Sequence, residues 1–283
     1  MPPRSMPTLR QRRLGAELRK MREHAGMTGH ALAKHLGIEA TQVSQMESGR
    51  IGVSADRLRS LAAACRCLNQ PLIDALVEIV QDRTKGWWEE YRGIIPTGII
   101  EVAEMEYFST SIRTAVTSYI PGLLQSAEYS SAVFTRLVPA LPKHESDART
   151  AFRAQRRDLL TEAAGKPYEA FIHEAALRMR FGGRSGLRNQ LASLLEDSEI
   201  PGVTIRVIPF AVDTFPGSGE TMMLASGQVP GLDTVQIDVH HAPIFIDAEA
   251  ELLAYRAIFS TTENVALAPQ DSRKFILGMI EEI

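Results

Sequence analysis

The stretch "GHALAKHLGIEATQVSQMESGR", residues 29–50, decides how this chain begins to fold. Leu32, Ala33 and Leu36 recur at helical spacing, and Gly37 breaks the pattern. After Ile38 a second short segment turns only Val43 and Met46 inward, three residues apart, before Gly49 supplies the left-handed stop that helices often use. Thr28 stands just ahead as an N-cap for the first segment. Two short helices joined by a glycine-containing turn are expected, the second burying so narrow a stripe that most of its surface stays outside.

The same punctuation continues outward. Thr8 is an N-cap for a stripe of Leu14, Leu18 and Met21 that Gly26 stops; Ser54 begins a segment with Leu58, Leu61, Ala62 and Cys65 on one face; Pro71 opens a fifth with Ile73, Leu76, Val77 and Val80. The spacing predicts an all-α, five-helix domain over residues 1–83 with a helix-turn-helix at its centre. Such a motif needs a small residue where its helices meet, a turn residue tolerant of positive φ, and a second helix whose outer face is free for the major groove. Ala33, Gly37, Ile38, Val43 and Met46 meet these demands. Ala40, Thr41, Gln42, Ser44 and Gln45 are left on or near the outer face as expected base readers. Gln pairs bidentately with adenine, Ser and Thr reach base edges, and an Ala or Thr methyl touches that of thymine. Arg50, left free where that helix closes, is expected at a phosphate.

Charge agrees with that division. The 283 residues carry a net −3, but residues 1–83 hold 13 Lys or Arg against 8 Asp or Glu, and residues 84–283 hold 18 against 26. A basic first part suggests that it alone meets a polyanion, double-stranded DNA. A solvated basic face would have the same balance, so the weight rests on the small polar residues of the outer face and on the helix punctuation. No apolar run approaches the roughly 18–20 residues needed to cross a bilayer. The start, "MPPRSMPTLRQRR", lacks the apolar core of a secretion signal. A cytoplasmic protein, nucleoid-associated when bound to DNA, is expected. Cys65 and Cys67 fall in a segment that reads as helical, on nearly opposite sides of it, which suits neither a disulfide nor a zinc site.

"DRTKGWWEEYRGIIPTG", residues 82–98, looks like a boundary, with a connector over 84–100 whose Trp87 and Tyr91 share a helical face and fasten it down. Beyond it, residues 101–283 read as an α+β or α/β domain. "YEAFIH", "VTIRVIPF", "ETMMLAS" and "DTVQIDVH" are four strand candidates. Helices are expected over 124–138, 144–163, 173–180, 185–198, 247–261 and 269–282.

The pattern "LGAELRKMREHAGMT" followed by "LAKHLGI" and "VSQMESGR" resembles the Xre/Cro, phage-repressor-like helix-turn-helix family, which implies a lambda-repressor-like fold. That family usually has a phosphate-binding Gln directly after the Thr that starts the motif's first helix; here Thr28 is followed by Gly29, so the resemblance implies a phosphate at Thr28 and Gly29 met by the Gly29 backbone N–H at the helix N-terminus, without the Gln side chain. "KGWWEEYR", "YIPGLLQSAEYS", "FIHEAALRMRFGG", "IPGVTIRVIPF" and "YRAIFSTTENVALAPQDS" resemble the C-terminal domain of a group of actinobacterial regulators that includes the WhiJ-like proteins of Streptomyces. The resemblance implies an antitoxin-type transcriptional regulator in a toxin-antitoxin-like pair, with a small acidic partner protein bound by the C-terminal domain.

Catalytic and metal-binding alternatives are weaker. His240 and His241, beside Asp238, are adjacent on a strand candidate and point to opposite faces, so they do not share a metal. "FGGRSG", 181–186, lacks the Lys-Ser/Thr of a phosphate loop and reads as a turn with Arg184 at the surface. His173-Glu174 lacks the second His of a metalloprotease helix, and Ser126, Ser218 and Ser226 have no nucleophile-elbow context. "PGLLQSAEY" reads as a helix start with a structural or interface role. Neither an enzyme, a metal nor a cofactor is expected. For the second domain, binding of a small partner protein leads, a metabolite in a concave apolar pocket is the alternative, and a DNA-anchored hydrolase comes last. A homodimer is expected, because one helix-turn-helix spans only a half-site, with its contact near Leu123, Leu124, Leu252 and Phe259.

Overall fold

The computed structural model describes residues 6–161, 165–216, 219–239 and 242–283; His240, His241 and Ser218 of the sequence reading lie outside them. The chain forms two compact units. The first runs to Trp87 and takes in Gln228–Leu232; the second comprises Trp88–Gly227 and Asp233–Ile283.

Five helices build the first unit: α1 (Leu9–His24), α2 (Gly29–Leu36), α3 (Ala40–Glu47), α4 (Ala55–Ala64) and α5 (Gln70–Gln81). Each start is chemically marked. The Thr8 hydroxyl accepts from the Gln11 N–H at 3.3 Å while the Gln11 side chain accepts from the Thr8 N–H at 3.0 Å, a reciprocal cap. Thr28, Ser54 and Asn69 cap α2, α4 and α5 through Ala31, Arg57 and Leu72 at 3.1–3.2 Å. The ends of α1 to α4 share one geometry, in which a residue at positive φ and its successor donate back to two carbonyls of the last turn. Gly26, Gly37 and Gly49 hold that position in the first three helices, and Arg66, at φ 53°, holds it in α4. Cys65 and Cys67 therefore flank the stop of α4 and do not lie within a helix. Leu18, Leu32, Leu58, Leu61 and Leu76 are completely buried at the centre of this unit.

A 3-10 turn, Trp87–Tyr91, follows. The segment expected to place Trp87 and Tyr91 on one α-helical face is a 3-10 turn. Within the second unit, Trp88 is buried with its ring 5.0 Å from Tyr107 and 6.0 Å from Phe108, and Tyr91 stacks edge-on at 5.0 Å from Phe152. At three residues per turn, i and i+3 share a face, whereas the expectation used the α-helical i and i+4.

The second unit continues with α6 (Thr97–Phe108), β1 (Ser111–Val116), α7 (Ala127–Phe134), α8 (Lys143–Arg156), α9 (Asp158–Thr161), β2 (Tyr168–His173), α10 (Glu174–Arg178) and α11 (Gly183–Asp197). It ends with β3 (Val203–Ile208), β4 (Met222–Ser226), β5 (Thr234–Ile237), β6 (Ile244–Ile246), α12 (Glu249–Val265) and α13 (Pro269–Glu282). The strands form one mixed sheet in the order β3-β2-β1-β4-β5-β6, parallel across β1, β2 and β3 and antiparallel from β1 to β6. The protein is thus multidomain, helical first and α+β second. The four expected strands correspond to β2, β3, β4 and β5; β1, β6 and α6 carried no clear signal. β1 buries three consecutive residues and β6 has three residues in all, so neither alternates cleanly. α6 buries Val102 to Glu106 without interruption and so shows no amphipathic stripe.

Buried polar pairs hold this unit in register. The Arg156 guanidinium donates twice to Glu106, at 2.8 and 2.5 Å, and both side chains are almost fully buried. Gln125 donates to the Ile120 carbonyl at 2.7 Å and accepts from Ser130 and Arg153, which locks the "PGLLQSAEY" segment as structure. At the edge of the sheet, Val207 of β3 is satisfied by the Leu267 N–H and the Ser272 hydroxyl.

Candidate nucleic-acid interface

α3 is eight residues long and buries only Val43 and Met46. Ala40, Thr41, Gln42 and Ser44 are exposed and Gln45 is half-buried, so the five expected base readers lie together on one short helix. They are not equivalent. The Gln42 side-chain oxygen accepts the Glu39 N–H at 3.2 Å, which commits it to capping α3. A bidentate contact with adenine needs both the oxygen and the nitrogen of the amide. Gln45 has both available.

The expected phosphate contacts flank the α2 and α3 pair in sequence. Arg50 is exposed two residues beyond the Ser48 cap of α3. Thr28 uses its hydroxyl oxygen to cap α2, and Gly29 begins that helix in its first, donor-rich turn. A β-carbon on Gly29 would meet nothing within 4 Å, so glycine is not required there by packing.

What fastens α3 is less visible in the sequence. Gly15, in the middle of α1, lies against the last carbonyls of α3, and a β-carbon there would be 2.8 Å from the Met46 oxygen. Gly49 lies equally close to the Gln11 backbone, where its β-carbon would meet main-chain atoms at 2.8 Å. Arg22 of α1 donates to both oxygens of Glu47, at 2.6 and 2.9 Å, and to the Met27 carbonyl at 2.8 Å. The hydrogen bonds that Arg22 donates to the Glu47 carboxylate raise the guanidinium pKa above its usual value. Across the motif, Arg57 of α4 donates to the Leu36 carbonyl at 3.0 Å and closes the C-terminal end of α2. The lone glycine inside the α1 stripe is a sequence signal for close approach. The Arg22 and Glu47 pairing, 25 residues apart, has no local signal.

In the second unit the residues considered for chemistry are in structural roles. His173 caps α10, its Nδ1 accepting from the Ala175 N–H at 3.2 Å, and burial lowers its pKa. Ser126 caps α7, and Arg184 is exposed in the first turn of α11. No group of three or more His, Cys, Asp or Glu among the described residues is arranged to hold a metal. Leu123, Leu124, Leu252 and Phe259 are at most 1% exposed, so these side chains are core and do not offer the dimer surface expected of them. No helix among the described residues is long and apolar enough to cross a membrane.

Comparison with protein families places a helix-turn-helix domain at residues 13–76, the region that holds the α1 to α4 arrangement. No curated protein and no solved structure matches the chain significantly. A second family model, a domain of unknown function, covers residues 99–278, well over half of the chain. A helix-turn-helix regulator by its first domain, the chain belongs by its second to the family of the domain of unknown function DUF5753.

Proposed function

We propose that the chain is a sequence-specific transcriptional regulator, acting in the cytoplasm, that sets α3 in the major groove of duplex DNA. Thr41 and Gln45 lead the base contacts, with Ala40, Gln42 and Ser44 beside them, while Thr28, Gly29 and Arg50 hold phosphates. The observation that carries this reading is the exposure of Ala40, Thr41, Gln42 and Ser44 on a helix that is anchored from behind by Arg22 and by the close approach of Gly15. Binding of selected operator DNA and of random duplex over a salt series tests it. Gln45→Ala should cost about 1–3 kcal/mol on the operator with little change on random DNA. Arg50→Ala should weaken both alike and lower the salt slope by about one unit. Equal losses from Gln45→Ala on both duplexes would move that residue to the backbone.

The second domain is read as the receiver of a signal. Its resemblance to the WhiJ-like regulators supports a small acidic partner protein and an antitoxin-type role. A hollow in its surface favours a small molecule as a second reading. Two-fold pairing of the chain on adjacent half-sites completes the proposal, with sedimentation of the full-length protein at micromolar concentration as its check.

A further inference from the structure

Within the second unit, one face of α12 helps to line a cavity of about 280 Å³. Glu251, Tyr255 and Ile258 face it at i, i+4 and i+7 of that helix, Met222 of β4 contributes to its apolar wall, and Phe215 and Glu220 stand on the segment leading into β4. Its size is just below the roughly 300–1,000 Å³ usual for small-molecule sites. It suits a compact ligand and is too small for a folded partner.

The charged groups that line it share one sign. No Lys, Arg or His lines the cavity among the described residues. The nearest cation along α12, Arg256, is already engaged by Asp233 at 2.8 Å and Glu249 at 3.3 Å. Neither Glu220 nor Glu251 forms an ion pair, and the Tyr255 hydroxyl has no hydrogen bond among the described residues. The Tyr255 pKa is raised, first by burial and then by the negative charge of Glu220 and Glu251, so both carboxylates act on the phenol. Two unpaired carboxylates, both exposed at its mouth, and a half-buried phenol border this apolar hollow and leave a place for one positive charge with an apolar body attached.

We infer that this cavity binds a small organic ammonium ion, its charge between Glu220 and Glu251 and its apolar part against Met222, Ile258 and Phe215. The inference supplies a ligand class for the receiver domain and rests on the regulator reading only for its consequence, since binding can be measured without DNA.

The test titrates 2-phenylethylammonium into the full-length protein, by calorimetry or ligand-observed NMR, beside neutral 2-phenylethanol and anionic 3-phenylpropionate. The ammonium should bind saturably and about tenfold or more tightly than the other two, the scale of one hydrogen-bonded charge. The double variant Glu220→Gln, Glu251→Gln should erase that preference. Ile258→Trp, which keeps both carboxylates and fills the hollow, should remove binding of all three. The two variants perturb different features, so either one, shown folded by its melting curve, decides. Equal binding of the three probes by the parent protein, no saturation at millimolar concentration, an ammonium preference that survives the folded double variant, or ammonium binding that survives folded Ile258→Trp overturns the inference. Operator binding by the same preparations separates the two readings: failure on DNA with intact ammonium binding removes the regulator reading alone, and the reverse removes the cavity ligand alone.

Discussion

The backbone of Gly15 lies directly against the carbonyl of Glu47, joining the middle of α1 to the last turn of α3 with no side chain between them. A β-carbon at this point has nowhere to go, because its neighbours are main-chain atoms of a helix that is also tied by Arg22. Gly15→Ala should separate the two helices and cost about 1–3 kcal/mol of stability. Operator affinity should fall with it. Gly52→Ala is the control, since a β-carbon there meets nothing within 4 Å. Thermal melts of both variants check the contrast, and a Gly15→Ala melt matching that control would show that the helices are not in contact.

Gly29 offers the opposite case. It stands in the first turn of α2 with open space where a side chain would project. Under the proposed binding mode, Gly29→Gln adds a neutral donor beside a phosphate, worth about 1 kcal/mol for a single hydrogen bond. Affinity for operator and random DNA should rise by a similar factor. The salt slope should stay unchanged, because no cation is added. A rise confined to the operator would argue for a base contact.

Arg66 adopts φ 53° at the end of α4, where the other three helix ends use glycine. Its side chain is exposed, so the left-handed backbone is maintained without a buried anchor. Arg66→Gly should therefore stabilise the first domain by about 0.5–1 kcal/mol, somewhat offset by the greater freedom of glycine in the unfolded chain. Chemical denaturation with an unchanged slope is the measurement. A loss of stability would mean that the Arg66 side chain has a role beyond its backbone.

Asp82 closes α5. The Thr84 hydroxyl and N–H, with Arg10 at 2.7 Å, lower its pKa from 3.8 to about 2. A lowered carboxylate pKa means stabilisation that is present above about pH 4 and is lost as pH falls through about 2. Asp82→Asn should be less stable than the parent at pH 6, by under about 1 kcal/mol for a pair so near the surface. The difference should close as the pH is lowered through that window. Melting temperatures of both proteins from pH 6 to 2 check the trend, and a gap that widens towards pH 2 contradicts it.

The first domain was legible because its instructions are local. Thr8, Thr28 and Ser54 cap with their own side chains, and Gly26, Gly37 and Gly49 stop helices by a conformation that glycine adopts without strain. Where the stop is Arg66 instead, no glycine marks it, and the helical pattern runs on through Cys65 and Cys67. In the second domain, segments bounded by turn residues could be read, as for β2, β3, β4 and β5. β1 and α6, which bury consecutive residues, could not.

The candidate interface divides in the same way. Periodicity alone determined that Val43 and Met46 face inward and that Ala40, Thr41, Gln42 and Ser44 face out, because an eight-residue helix with two apolar positions has one way to bury them. Tertiary structure decided that Arg22 reaches Glu47, that Gly15 lets α1 and α3 touch, and that Leu252 and Phe259 are core. It also brought Glu220 together with Glu251 around one hollow. Contacts between residues far apart in the chain depend on how helices and strands pack, and packing is a property of the assembled fold that a periodic pattern in one segment does not contain.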